Sequence, residues 1–482
     1  MGPPAPYALD STKPINHYWR AFSIRAKNQQ KYNHTLIFRH CEPPDRHGDR
    51  GREDESMKLI KSMTAVAVTS LVATSAWATN GYAPHGIGQK SKGMGGVGIA
   101  LVQDTVGAGM NPAGMVLLGN RVDAGLEWFR PSRKTEIMAP NPFAGSYSAN
   151  DRQNFFVPEF GYNYMLNDRM SLGVSVFGNG GMNTDYANGI PLFTGVMSGK
   201  RTSIDLMQLF VVPTFAWKIN DQHSIGIGLN LAAQQFTAVG LQNFDNPAFT
   251  SSPGKVTNND PDWSYGAGLR IGWVGQITDR VTLGATYQTR TYMSEFDDYK
   301  GLFAEQGDFD IPENFGAGIA FKATPKLTLA FDIMRINYSS VNSIGNKGPS
   351  GSMGPPAMTG TPLLGESGGW GFGWDDQTVY KLGAAYEYNA DWTFRAGWNH
   401  GSSPISGSET LFNVLAPGVV EDHLTLGATW TLDNGQEVTF SYMHAFENTV
   451  KGNNSIPAWM GGGEADISMY QDSFGVAWGM DL

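Results

Sequence analysis

Gly93-Met94-Gly95-Gly96-Val97-Gly98 has the spacing G-x-G-x-x-G, in which a closely approaching backbone can cradle a pyrophosphate. That chemistry requires a strand before the glycines and a βαβ unit around them, and the flanking sequence offers neither pattern. The histidines beyond residue 78, His85, His223, His400, His423 and His444, are dispersed without metal-ligand spacing. The one G-x-S-x-G match, Gly365-Glu366-Ser367-Gly368-Gly369, lies in a long Gly-, Pro- and Ser-rich connection and not on the strand-to-helix turn that an acyl-hydrolase nucleophile needs, and the single cysteine, Cys41, stands in a polar leader. No catalytic residue, metal or cofactor is therefore expected. The residues left with a task are cations and apolar clusters. Arg270, Lys381 and Arg395 fall on the Gly-containing face of alternating segments. There they either hold an anion or pair with acids such as Glu127, Glu159, Asp332 and Glu387; Arg335 has a less certain phase. Leu241, Phe244 and Phe249 in one long connection, and Tyr292, Met293, Phe296, Tyr299, Leu302 and Phe303 in another, exceed what a solvated loop needs. They either present apolar surface or pack on one another as a small loop core.

The elements that must position these residues begin after an export signal. Lys58 and Lys61 form a positive start, Met63 to Ala73 an apolar run too short to cross a bilayer, and Ala76-Trp77-Ala78 a small-x-small cleavage site. Residues 57–78 are thus read as a signal peptide. The leader 1–56 is polar, lacks periodicity and is read as an over-long upstream start. The remaining 404 residues carry 23 Lys and Arg against 37 Asp and Glu, a net charge of −14. That balance argues against nucleic acid as a partner, since phosphate binding needs clustered cations. No later apolar run approaches the roughly 20 residues of a membrane helix, so a membrane-crossing chain must here be a closed barrel.

Period two is the dominant pattern. In His223 to Ala233, Ile225, Ile227, Leu229 and Leu231 alternate with Gly226, Gly228, Asn230 and Ala232; Trp263 to Trp273 and Trp392 to Trp398 repeat the design. Fourteen such strands are expected, near 121–132, 154–166, 169–178, 204–219, 223–237, 263–276, 281–290, 311–322, 326–338, 377–388, 392–400, 421–431, 436–445 and 469–482. Their connections alternate between tight turns (Asn167-Asp168, Asn220-Asp221, Thr278-Asp279, Thr324-Pro325, Asn389-Ala390, Asp433-Asn434-Gly435) and seven long loops. The predicted fold is all-β, a 14-stranded antiparallel transmembrane barrel over residues 121–482 with its turns in the periplasm. Tryptophans near strand ends suit the two membrane interfaces. The final strand, with Phe474, Val476, Trp478, Met480 and Leu482 in alternation, resembles the signal read by the barrel-assembly machinery.

Residues 79–120, between cleavage site and first strand, are too Gly-rich for a domain and suit a lumenal plug. Ser91 to Met115 resembles the N-terminal hatch of the outer-membrane long-chain fatty acid and aromatic hydrocarbon transporters of the FadL/TodX type. The match lies in a Gly/Ala-rich segment, the acidic Asp104 and then Asn111-Pro112-Ala113-Gly114, about 30 residues after the signal. Thr105 to Met110 is more Gly-rich than that family's pattern, and the terminal residue is Leu482 rather than Phe. The resemblance implies passive uptake of a hydrophobic ligand, long-chain fatty acid first and aromatic hydrocarbon as the alternative, across a Gram-negative outer membrane. It implies capture by Leu241, Phe244, Phe249, Phe296, Leu302 and Phe303, and a lumenal pocket with Arg270, Lys381 or Arg395 for a carboxylate. It further implies rearrangement at Asn111 to Gly114, and sideways exit where the third strand breaks at Gly178-Asn179-Gly180-Gly181. Outer-membrane lipid, lipopolysaccharide and the assembly machinery are the expected partners of a monomer. A general porin or an adhesin barrel is the competing class; neither would need a hatch.

Overall fold

The alternation read from the sequence becomes a wall. The computed structural model describes residues 80–195, 200–350 and 354–482, so the leader and the signal peptide lie outside the described residues. The spanning strands are β1 (Arg121–Ile137), β2 (Phe155–Asn167), β3 (Met170–Tyr186), β4 (Thr202–Lys218), β5 (His223–Val239), β6 (Asp262–Gln276) and β7 (Val281–Gln288). They continue with β8 (Asn314–Thr324), β9 (Leu327–Ile336), β10 (Gln377–Glu387), β11 (Trp392–Gly401), β12 (Asp422–Thr431), β13 (Glu437–Val450) and β14 (Ala465–Asp481). Each pairs antiparallel with its chain neighbour, and β14 pairs with β1 from Arg121↔Asp481 to Ile137↔Ala465, which closes the sheet. Closure removes the free edges that hydrocarbon would leave unsatisfied. Two short strands, Gly145–Ser148 and Tyr292–Met293, extend the wall locally beside β1 and β6.

The six tight turns share one device. Asn167, Asn220, Thr278, Thr324, Asn389 and Asn434 each accept a backbone N–H two residues ahead on the side-chain oxygen. Such Asx and Ser/Thr turns reverse the chain without help from the rest of the fold, which is why they are legible locally. Phase is as expected: Ile225, Ile227, Leu229 and Leu231 face outward, while Asn230, Ala232 and Gln234 are buried inward. Outward aromatics such as Trp217, Trp398 and Trp430 stand toward strand ends, in keeping with interfacial girdles.

Two strands run further than the apolar pattern suggests. β1 continues from Ser132 to Ile137 because its outer end carries polar residues on the outward side, Lys134 and Glu136, while Arg133, Thr135 and Ile137 stay buried inside. β3 does not break at Gly178 to Gly181 but continues to Tyr186, hydrogen-bonded to β4, with one bulge between Gly178 and Gly180. The expectation of a strand break there is therefore corrected: the irregularity is an extra residue, Asn179, not an ending.

Candidate functional site: a lumenal segment, an outer cavity and a gap in the wall

The N-terminal segment packs inside the barrel, with nearly all of Asn80 to Val116 buried. Small wall residues admit it. A Cβ on Gly226 would sit 2.3 Å from the Pro112 carbonyl carbon, and one on Gly397 would sit 2.1 Å from the Gly95 nitrogen. The segment is so Gly-rich that it forms only short helical turns, so its backbone groups need partners from the wall. Asp332 accepts both Gly98 N–H (2.7 Å) and Ile99 N–H (3.0 Å) on one carboxylate oxygen. Asp123 accepts from the Thr105 amide and hydroxyl, and Thr425 accepts from Gly95 N–H. At its charged end, Lys92 meets Glu127 at 2.5 Å and Glu159 at 3.6 Å, and Lys90 meets Glu437 at 2.7 Å.

Asn111-Pro112-Ala113-Gly114 has a specific job in this packing. Asn111 caps the 3₁₀ helix Pro112–Leu117, accepting Ala113 N–H on its side-chain oxygen, while Pro112 occupies the first helical position, where no N–H is needed. The same side chain donates to Ile99 carbonyl within the segment and to Trp273 carbonyl in β6. A Cβ on Gly114 would collide with Val102 at 2.2 Å, so only glycine closes this turn.

The three candidate cations all point inward, as their phase requires, and each meets the N-terminal segment. Lys381 donates to Gly96 carbonyl (3.2 Å), Arg270 to Met110 carbonyl (3.3 Å) and to Gln288, and Arg395 to Gln103 (2.9 Å) and Thr429 (2.7 Å). The acids behave alike: Glu127 and Glu159 bind Lys92 rather than a wall cation. Glu387, grouped with them from sequence, is exposed at the end of β10, and Arg335 pairs with Asp376 at 3.0 Å, outside that set.

All of the loop aromatics except the exposed Tyr292 turn inward. Leu241, Phe244, Phe296 and Phe303 are buried, so an exposed capture surface is replaced by a packed layer above the lumen. Leu241, Phe244, Leu302 and Phe303 line an apolar cavity together with Phe193, Ile204, Phe236, Leu364, Trp370, Phe372, Phe412 and Leu415. These side chains fill the space almost completely, leaving a cavity of only about 30 Å³. Phe296 backs Phe236 and Phe303, while Phe249 packs on Phe244, Trp370 and Trp459. Phe193, Phe236, Trp370 and Phe412 escaped sequence reasoning because they come from separate stretches of chain that only the closed barrel brings together.

Between β2 and β3 the wall opens. Their pairing ends at Phe160↔Val176, leaving Phe155 to Glu159 of β2 and the stretch of β3 from Phe177 upward without each other. The gap ends above at a bridge between Asn150 and Asp185. Residues 177–186 are buried on both faces, consistent with a strand drawn inward from the wall. The bulge at Asn179 marks where the pairing partner is lost, and Gly181 N–H is satisfied by Tyr82 carbonyl of the N-terminal segment. Beside this gap lies a second cavity, nearly closed at about 10 Å³, lined by Phe129, Met182, Asn183, Trp374, Ala416, Met469 and the buried Arg133.

A closed barrel with a packed lumen and a lateral gap can be set against known proteins. Residues 66–479 match the family described as outer membrane protein transport protein (OMPP1/FadL/TodX). The chain belongs to this family. A curated relative, the long-chain fatty acid transport protein of Escherichia coli O6:H1 (strain CFT073), is 21% identical over 390 residues, covering 72% of this chain and 82% of that protein. Among solved structures, the toluene transporter TodX of Pseudomonas putida aligns with a TM-score of 0.62 at 17% identity, over 83% of this chain and 99% of that one. A Pseudomonas aeruginosa FadL homologue gives 0.62, also at 17% identity, with the same coverage. At these identities the structural likeness speaks for the fold. As a member of the FadL/TodX family, this chain is an outer-membrane β-barrel of a Gram-negative bacterium that transports hydrophobic compounds passively, not an enzyme.

Proposed function

We propose that the cargo is a long-chain fatty acid, taken into the apolar cavity between the outer loops, passed beside the N-terminal segment and released sideways between β2 and β3. The observation that carries this reading is the order of surroundings along the lumen. Leu415 lines the outer apolar cavity, and Ala416, next in the chain, lines the second cavity, where Arg133 is the cation. Apolar walls suit an acyl chain, each buried CH₂ contributing about 0.8 kcal/mol. A buried cation suits a carboxylate, whereas an alkane gains nothing from it and an arene only the weaker cation–π attraction. The name of the Escherichia coli relative supports the same choice. In this reading residues 80–120 are a hatch, Asn111 to Gly114 its hinge-side turn, and Gly178 to Gly181 the border of the exit. Arg270, Lys381 and Arg395 hold the hatch, leaving Arg133 to meet the ligand. Folding into the outer membrane would use the amphipathic β14.

The test is deletion of the gene followed by growth on oleate and on toluene as separate carbon sources, with mass spectrometry of lipid copurified with the protein. Loss of growth on oleate and a copurified fatty acid are expected. Intact growth on oleate with lost growth on toluene would replace the fatty acid with an aromatic hydrocarbon.

A further inference from the structure

Arg133 is 1% exposed and no carboxylate lies within ion-pair distance of it among the described residues. The acids nearest it in charge, Asp185 and Asp205, are engaged by Arg201 and Arg152 respectively. Its guanidinium instead ties backbone together across the gap. Nη1 donates to Asn183 carbonyl on β3 at 2.6 Å and to Asn183 Oδ1 at 3.1 Å, while Nη2 donates to Arg152 carbonyl, just before β2, at 2.5 Å. Nε–H has no partner although it is buried beside the second cavity. A buried, unpaired guanidinium with an orphaned donor is costly unless an anion visits it.

We propose that Arg133 is both the clasp of the lateral gap and its anion sensor, opened by the carboxylate of the cargo. The inference rests on the fatty-acid reading above. A carboxylate binding the guanidinium side-on uses Nε–H and the adjoining Nη2–H, the bidentate geometry that Arg favours. Nε–H is free for it, and Nη2 is the group that now holds Arg152. Nη2 has two N–H groups, so the carboxylate and the Arg152 carbonyl come to share one nitrogen, and their mutual repulsion weakens the tie to the β2 side while the tie to Asn183 on β3 is kept. No bond is made or broken covalently, and the ligand leaves with its charge unchanged. A neutral chain of the same length fills the same apolar space but leaves the clasp shut. Charge at the head group thus becomes a gate on the exit, separate from the apolar affinity that fills the lumen.

The experiment compares oleate with methyl oleate, for binding to purified protein in detergent and for uptake by cells producing wild type, Arg133→Met or Arg133→Lys. Wild type is expected to bind and take up oleate at least tenfold better than methyl oleate. Arg133→Met removes the clasp together with the anion site, so the preference should vanish: oleate binding falls to the methyl oleate level, while methyl oleate uptake rises to that of oleate. Should Arg133→Met fail to give the heat-modifiable folded barrel, Arg133→Lys serves, because one ammonium cannot hold both carbonyls and a bidentate carboxylate; the tenfold preference for oleate is again expected to vanish. Undiminished oleate preference in the folded variants overturns the role of Arg133 while leaving the cargo reading intact. Failure of wild type to take up oleate overturns the cargo reading itself.

Discussion

At the residue scale, the wall side chains that the sequence marks as unusual serve chiefly to satisfy a backbone that cannot satisfy itself. Asp332 is the clearest case: one oxygen accepts two consecutive N–H groups of the lumenal segment, and Lys381 beside it takes the carbonyl of Gly96. Asp332→Ala strands both amides, each at a cost of about 1–3 kcal/mol, and leaves the Lys381 charge poorly matched. Hydrogen-exchange mass spectrometry should then show peptides around Val97 to Ala100 exchanging at least tenfold faster, with peptides of β9 and β10 unchanged. Equal exchange in variant and wild type would mean that packing alone holds the segment. The inward phase of Arg270, Lys381 and Arg395 was legible from alternation, since neighbours two apart share a face. Their partners were not, because a Gly-rich chain hundreds of residues away supplies them. Arg133 was missed for a different reason: outward positions around it are polar where β1 leaves the hydrocarbon layer, so the pattern that reveals a strand fades there.

At the element scale, the strands themselves were readable almost throughout, since pairing period and turn chemistry are local. What the sequence concealed was which strand edges remain unpaired. The cluster Gly178-Asn179-Gly180-Gly181 signalled irregularity at the right place, yet the strand continues through it, bonded to β4 on one side and released from β2 on the other. A bulge of one residue increases local twist and redirects the strand. Deleting Asn179 removes that residue and lets Gly178 and Gly180 follow in register opposite Leu209 and Gln208. β3 should then zip along β2 and close the gap. Oleate uptake is expected to fall to background, whereas the barrel should keep or raise its resistance to heat denaturation in detergent. Uptake at the wild-type rate in the deletion variant would place the exit elsewhere.

For the whole molecule, a ligand path must coexist with a lumen that is already full. Thr105, for instance, lies against Gly161 of β2 and hydrogen-bonds Asp123 of β1, and on the far wall Gly93 lies against Gly427 of β12. A fatty acid of ordinary length cannot pass such packing unless the segment shifts, and the many wall contacts make that shift a collective event rather than a side-chain motion. Tethering one point should therefore stop it. Thr105 Oγ1 lies 2.3 Å from the position a Cβ on Gly161 would take, close enough for Thr105→Cys with Gly161→Cys to form a disulfide after small adjustment. Beyond residue 78 there is no native cysteine to compete. The oxidised pair should block oleate uptake, and a membrane-permeant reductant should restore it to the level of Gly161→Cys alone, whose Cβ meets the Thr105 and Val106 backbone and so sets the baseline. If oxidised protein, verified by its gel mobility, transports at the reduced rate, then this part of the segment stays in place during transport and the cargo must move around it.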